Sequence, residues 1–146
     1  MPAMATLCSC KAFLSDAAKA GKQALTKDHR SRIQTKPTTQ IVASIDFDAA
    51  ARANFPQHAR WDYLLEVKQS NTPTKTVAVE FHSVEFTRVV KKQRDSLAIL
   101  TAECDPTPKI AEWILAPEGE TGGYSVTVRR KLAQLGIRTA GRSLEL

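Results

Sequence analysis

Two short runs constrain this chain more than anything else in it. In Trp61-Asp62-Tyr63-Leu64-Leu65-Glu66-Val67 the odd positions are all apolar, and Val77, Val79 and Phe81 repeat the pattern a few residues later. Successive side chains of a strand point to opposite faces, so alternation with period two marks a strand that packs one face against a core. Between the runs stand Ser70, Asn71, Thr72 and Pro73, a segment that carries turn residues. The pattern predicts an antiparallel hairpin. Its core face carries the odd positions. Its other face carries Asp62, Leu64, Glu66 and Lys68 from the first strand, with Ala78, Glu80 and His82 from the second.

A two-stranded hairpin is not stable alone in water, so the remaining elements must cover it. A short strand is expected over Ile41–Ile45, followed by a helix over Ala49–Phe55 that Asp46 or Asp48 caps and Pro56 ends. After the hairpin, a helix is predicted from about Val84 to Glu103. Phe86, Val89, Val90, Leu97, Leu100 and Cys104 form its apolar stripe, interrupted by Gln93. Asp105-Pro106-Thr107-Pro108 stops it. Ile110–Ala116 is nearly all apolar, as expected of a central strand covered on both faces, and Trp61 and Trp113 are read as core. Pro117–Gly123 reads as a loop too acidic to cradle phosphate. A further amphipathic helix follows through Val128, Leu132 and Leu135, closed by Gly136, and Leu144–Leu146 suits a last strand. The fold class is therefore α/β, a mixed central sheet with a β-hairpin, flanked by helices.

The N-terminal part reads differently. Residues 1–12 look like a loose terminus, Ser15-Asp16 a cap for a helix through Lys27, and residues 28–39 a polar linker. Of the formal net charge of +6, residues 1–40 carry +5, from seven Lys/Arg against two acids. This predicts a basic N-terminal extension with a short helix over residues 1–40, joined to a single α/β domain over residues 41–146. The body itself is almost neutral, which argues against a basic coat over the whole surface. No apolar run approaches the roughly 18–20 residues needed to cross a bilayer, so no membrane partner is expected. The three cysteines, Cys8, Cys10 and Cys104, are too few and too oddly spaced for a disulfide framework or a four-ligand zinc site. They are expected as free thiols in a reducing, cytoplasmic setting.

The polar face of the hairpin holds the candidate chemistry. If Asp62 pairs at or beside Glu80, their carboxylates stand close enough to repel, and a cation between them relieves the cost. A divalent ion such as Mg²⁺ takes oxygen ligands from one or two carboxylates plus water and phosphate. His82 lies two residues beyond Glu80, on the same side.

With Asp62 on one strand and Glu80-Phe81-His82 on the next, followed by a helix and an apolar strand, residues 44–146 resemble the restriction-endonuclease-like PD-(D/E)XK nucleases. The resemblance implies that Asp62 and Glu80 hold Mg²⁺ or Mn²⁺ for phosphodiester hydrolysis of DNA or RNA. It implies a Lys where this chain has His82. Three outcomes follow from that departure. His82 acts as base or joins the metal shell, with a preference shifted toward Mn²⁺. Or the lysine comes from the following helix, where Lys92 is better placed than Lys91, as in divergent relatives. Or the site is inactive and the scaffold is a nucleic-acid or protein binding module. Gln93 resembles a polar residue that some relatives place beside the metal.

Plainer readings stand beside these. Asp62 can pair with Arg60 or Lys75, Glu80 with Lys68 or Arg60, and His82 can cap the next helix. Gln93 can hydrogen-bond across a homodimer interface. The basic runs Lys91–Arg94 and Arg129–Lys131 can be solvated helix faces. Metal-free RNA cleavage, with His82 as base and Lys92 steadying the charged phosphorane, is a third chemistry. His29 and His58 have no assignment from sequence.

Overall fold

A computed structural model describes residues 4–82, 85–117 and 124–146. A 3₁₀ turn, Ala5–Leu7, leads into α1 (Ala12–Ser15), β1 (Lys19–Ala20), α2 (Lys27–Ser31) and β2 (Ile33–Gln34). Then follow β3 (Thr39–Asp46), α3 (Phe47–Arg52), β4 (Tyr63–Gln69), β5 (Lys75–Glu80) and the long α4 (Phe86–Glu103). The chain finishes with β6 (Ile110–Leu115), α5 (Val126–Gln134), β7 (Ile137–Thr139) and β8 (Leu144–Glu145). Six strands form one mixed sheet in the order β1-β3-β4-β5-β6-β7, and β2 pairs with β8 apart from it. The meander β3-β4-β5 is antiparallel, whereas β5, β6 and β7 run parallel to one another. Parallel neighbours need a crossover connection, and α4 and α5 supply the two.

The expected hairpin is β4–β5, with Tyr63 opposite Val79 and Leu65 opposite Val77. Its turn places Asn71 at φ 63, a left-handed conformation that Asn tolerates better than most side chains. Asp46 caps α3 by accepting from the Ala49 amide at 2.9 Å, and Gly136 leaves α5 at φ 75, as a helix stop requires. Trp61 and Trp113 meet edge to face in the core, with centroids 5.1 Å apart.

Both faces of the sheet are covered, not one. The odd positions Tyr63, Leu65, Val67, Val77, Val79 and Phe81 bury against Leu25, Ile33, Leu144 and Leu146. On the opposite face Leu64 and Ala78 join Met4, Leu7, Leu14, Val89, Ile99 and Leu100. The hairpin's polar positions Asp62, Glu66, Thr76 and Glu80 are consequently buried. α4 is rotated from its expected phase: Ser96 and Ile99 point inward, while Leu97 is 38% exposed. Val84, the expected start of that helix, and residues 118–123 of the acidic loop lie outside the described residues.

Residues 4–40 do not stand apart from the body. Met4, Leu7, Leu14, Leu25 and Ile33 are buried, and side chains of this size each contribute about 1.5–3 kcal/mol when fully withdrawn from water. The helix expected from Ser15 through Lys27 does not form. Gly21 takes φ 55 and donates its N–H to Val42 at 2.8 Å, so the chain turns to lay β1 against β3. The expected linker instead holds α2, capped by Thr26, and β2. Arg32, buried, donates to the carbonyls of Ala116, Pro117 and Arg142 at 3.0, 2.8 and 2.8 Å. The free-thiol expectation is corrected as well. Cys10 and Cys104 form a disulfide, and Cys8 alone is free. The bond removes the argument that linked the cysteines to a reducing compartment. Among the described residues no helix is long and apolar enough to cross a membrane.

Candidate metal centre

Continuing the β4–β5 register one step past Tyr63 and Val79 brings Asp62 opposite Glu80 at the open end of the hairpin. The two side chains grip the opposing backbone. Asp62 Oδ2 accepts from the Phe81 amide at 3.0 Å, and Glu80 Oε1 accepts from the Asp62 amide at 3.0 Å. His82 Nδ1 lies 2.8 Å from Asp62 Oδ2 and 3.5 Å from Glu80 Oε2. Asp62, Glu80 and His82 thus each offer a ligand atom, and these atoms all lie within 4.8 Å of one another. That grouping can hold one metal ion, with two carboxylate oxygens and an imidazole as donors.

The helix crossing this face completes the group. Lys92, on the inward side of α4, places Nζ 2.6 Å from Glu80 Oε2. The glutamate side chain is 0% exposed and the lysine 12%, so this is a buried ion pair. Lys91 points elsewhere and pairs with Asp95. Gln93 is not brought to the group: its amide donates to the Leu135 carbonyl at 3.0 Å and fastens α4 to the end of α5. The plainer pairings do not form. Arg60 binds Asp48 and Lys75 binds Glu112, while Lys68 donates to the Thr72 carbonyl.

The electrostatics follow from packing two acids under a helix. Burial raises the Asp62 carboxyl above its ordinary range, the charge of Glu80 adds to this, and the Phe81 amide opposes it. His82 is pushed up to about 9, first by its hydrogen bond to Glu80, then, against its partial burial, by the charges of Asp62 and Glu80. Without a metal, His82 therefore stands beside the two acids as a cation on the open side, opposite the ammonium of Lys92.

One residue outside the expected set belongs to the same neighbourhood. His29, on α2, stacks on Phe81 with centroids 4.4 Å apart and lies edge-on to His82 at 6.2 Å. Its Nδ1 is 2.8 Å from the Tyr63 hydroxyl. Burial lowers its pKa. No local spacing ties residue 29 to residue 82, and only the docking of α2 over the odd face of the hairpin joins them. Comparison with family models, with curated proteins and with solved structures gives no match.

Proposed function

We propose that this chain is a divalent-metal-dependent phosphodiesterase of nuclease type, with a restriction-endonuclease-like arrangement, acting on DNA or RNA. The observation that carries the reading is the group itself: Asp62, Glu80 and His82 ligand atoms within 4.8 Å, with the Lys92 ammonium 2.6 Å from Glu80. The order of antiparallel hairpin, crossover helix and parallel strand around it supports the reading. Asp62, Glu80 and His82 would hold the ion. When bound, it polarises the phosphate and lowers the pKa of an attacking water. An imidazole ligand favours Mn²⁺ over Mg²⁺. Binding must release the His82 proton, so affinity rises with pH. Lys92, paired with Glu80 at 2.6 Å, puts its ammonium beside the position where phosphorane charge develops. It takes the part that the resemblance gives to a lysine at position 82.

A second reading has one observation in its favour. Both Glu80 oxygens are already engaged, by the Asp62 amide and Lys92, and Asp62 is paired with His82. A group satisfied in this way also suits an inactive scaffold that binds nucleic acid without turnover. Cleavage assays with Mn²⁺ or Mg²⁺ separate the two. Metal-dependent cleavage of DNA or RNA that Asp62→Asn abolishes supports the enzyme. Salt-sensitive binding without turnover supports the scaffold. Cleavage that persists in EDTA removes the metal from the mechanism.

A further inference from the structure

The N-terminal charge and the unassigned histidine meet on one element. α2 runs over only Lys27–Ser31, closed by its own cap and tied to the body at two points. Thr26 accepts from the His29 amide at 3.2 Å. The His29 ring is held between Phe81 and the Tyr63 hydroxyl. Arg32, directly after the helix, is locked to the carbonyls of Ala116, Pro117 and Arg142. A short helix held this firmly presents its remaining side chains in a defined place. Lys27 and Arg30 are exposed, and neither has a carboxylate partner among the described residues. Asp28 is the one acid of the helix.

The site is therefore approached from both faces of the sheet. α4 brings Lys92 from one, and α2 brings His29 from the other. When the Tyr63 hydroxyl donates to Nδ1 of a neutral His29, the ring proton resides on Nε2, which is left as a donor. The half-buried His29 ring lies edge-on to that of His82, with centroids 6.2 Å apart, so a group engaged at His82 lies within reach of α2.

Resting on the phosphodiester reading above, we propose that α2 is the substrate-docking element of the site. His29 donates a hydrogen bond to the phosphate engaged at Asp62, Glu80 and His82, and Lys27 and Arg30 hold neighbouring phosphates of the same strand. His29 is thus a substrate-binding residue, and α2 is a basic rim to the site.

The test is binding by the full chain, with Ca²⁺ in place of a catalytic metal, to a short DNA duplex and separately to a single-stranded RNA. The chain has three histidines, so three imidazole Cε1–H resonances can be followed by NMR. The His29 resonance shifts with whichever nucleic acid binds, while His58 does not. His29→Ala weakens binding about tenfold, a loss of one hydrogen bond to a charged group, and His29→Gln, which keeps an N–H donor, recovers most of it. Lys27→Gln and Arg30→Gln each flatten the salt dependence by about 0.9 for duplex DNA or about 0.7 for a single strand.

An unmoved His29 resonance at saturation, unchanged affinity in His29→Ala, or no binding to either nucleic acid at low salt overturns the proposal. The parent reading fails separately. Binding that needs His29 in a protein with no Asp62-dependent cleavage refutes the enzyme and keeps the docking role. Asp62-dependent cleavage indifferent to His29 does the reverse.

Discussion

Replacing Lys92 by Met isolates the buried ion pair on which the site is built. Glu80 is 0% exposed and Lys92 12%, with 2.6 Å between their charged atoms. Removing one partner of such a pair leaves an uncompensated buried charge, at about 3–5 kcal/mol. Two features hold the cost toward the lower figure. The Asp62 amide still donates to Glu80, and His82, raised to about 9, still stands 3.5 Å away as a cation at neutral pH. The expected loss is therefore about 3 kcal/mol. At about 3 °C per kcal/mol for a chain of this size, the melting temperature falls by about 9 °C. In the double variant Glu80→Gln/Lys92→Met no charge is stranded, and stability returns to within about 1 kcal/mol of the parent. The measurements are urea denaturation and thermal melts followed by circular dichroism at pH 7 and 25 °C. A Lys92→Met protein within 0.5 kcal/mol of the parent would refute the reasoning, because the pair would then be solvated. A double variant as unstable as the single one would show that the lysine stem, not its charge, supports the fold.

Three further outcomes follow from the site and its supports. His82 has a folded pKa of about 9 against about 6.5 unfolded, so its stabilising contribution is complete below about 6.5 and fades as pH rises through 9; His82→Gln flattens the stability profile across that window in urea titrations, and an unchanged slope contradicts the assignment. Mn²⁺ at a hundred times its dissociation constant adds about 2.7 kcal/mol of stability, seen as a higher melting temperature that Asp62→Asn loses; an equal rise in the variant places the ion elsewhere. Reducing the Cys10–Cys104 bond, which spans 94 residues, or making Cys10→Ser, costs about 2–5 kcal/mol, whereas Cys8→Ser is neutral; a reduced protein as stable as the oxidised one rejects this.

What could be read from the chain was what repeats locally. The β4–β5 alternation, the Asp46 cap, the apolar run of β6 and the Gly136 stop each have short-range signatures, and each forms. Asp62, Glu80 and His82 were legible because period two puts them on one face. Lys92 was legible because its helix follows the hairpin directly. The segment before residue 40 escaped for a physical reason. Its elements are two to five residues long, and they persist through docking of Met4, Leu7, Leu14, Leu25 and Ile33 rather than through any periodicity of their own. The phase of α4 departs from its apolar stripe because Ser96 serves as an inward position, its hydroxyl accepting from the Trp61 amide at 2.9 Å. Gln93, marked by its place in the stripe, turned out to serve the contact between two helices. The cysteine pairing and the approach of His29 are contacts between distant positions, and nothing in a single chain's local pattern announces them.

The Cys10–Cys104 bond has a topological consequence for the site. His29, Asp62, Glu80, His82 and Lys92 all fall between the two cysteines, within one covalent ring. A protease that nicks the exposed turn at Asn71 separates the two strands of the hairpin in sequence but not in substance. The halves carrying Asp62 and Glu80 remain one molecule, running as a single band until a reductant parts them. In the oxidised protein, then, a broken backbone at the hairpin tip need not disperse the metal-binding group, and the ring holds its members together.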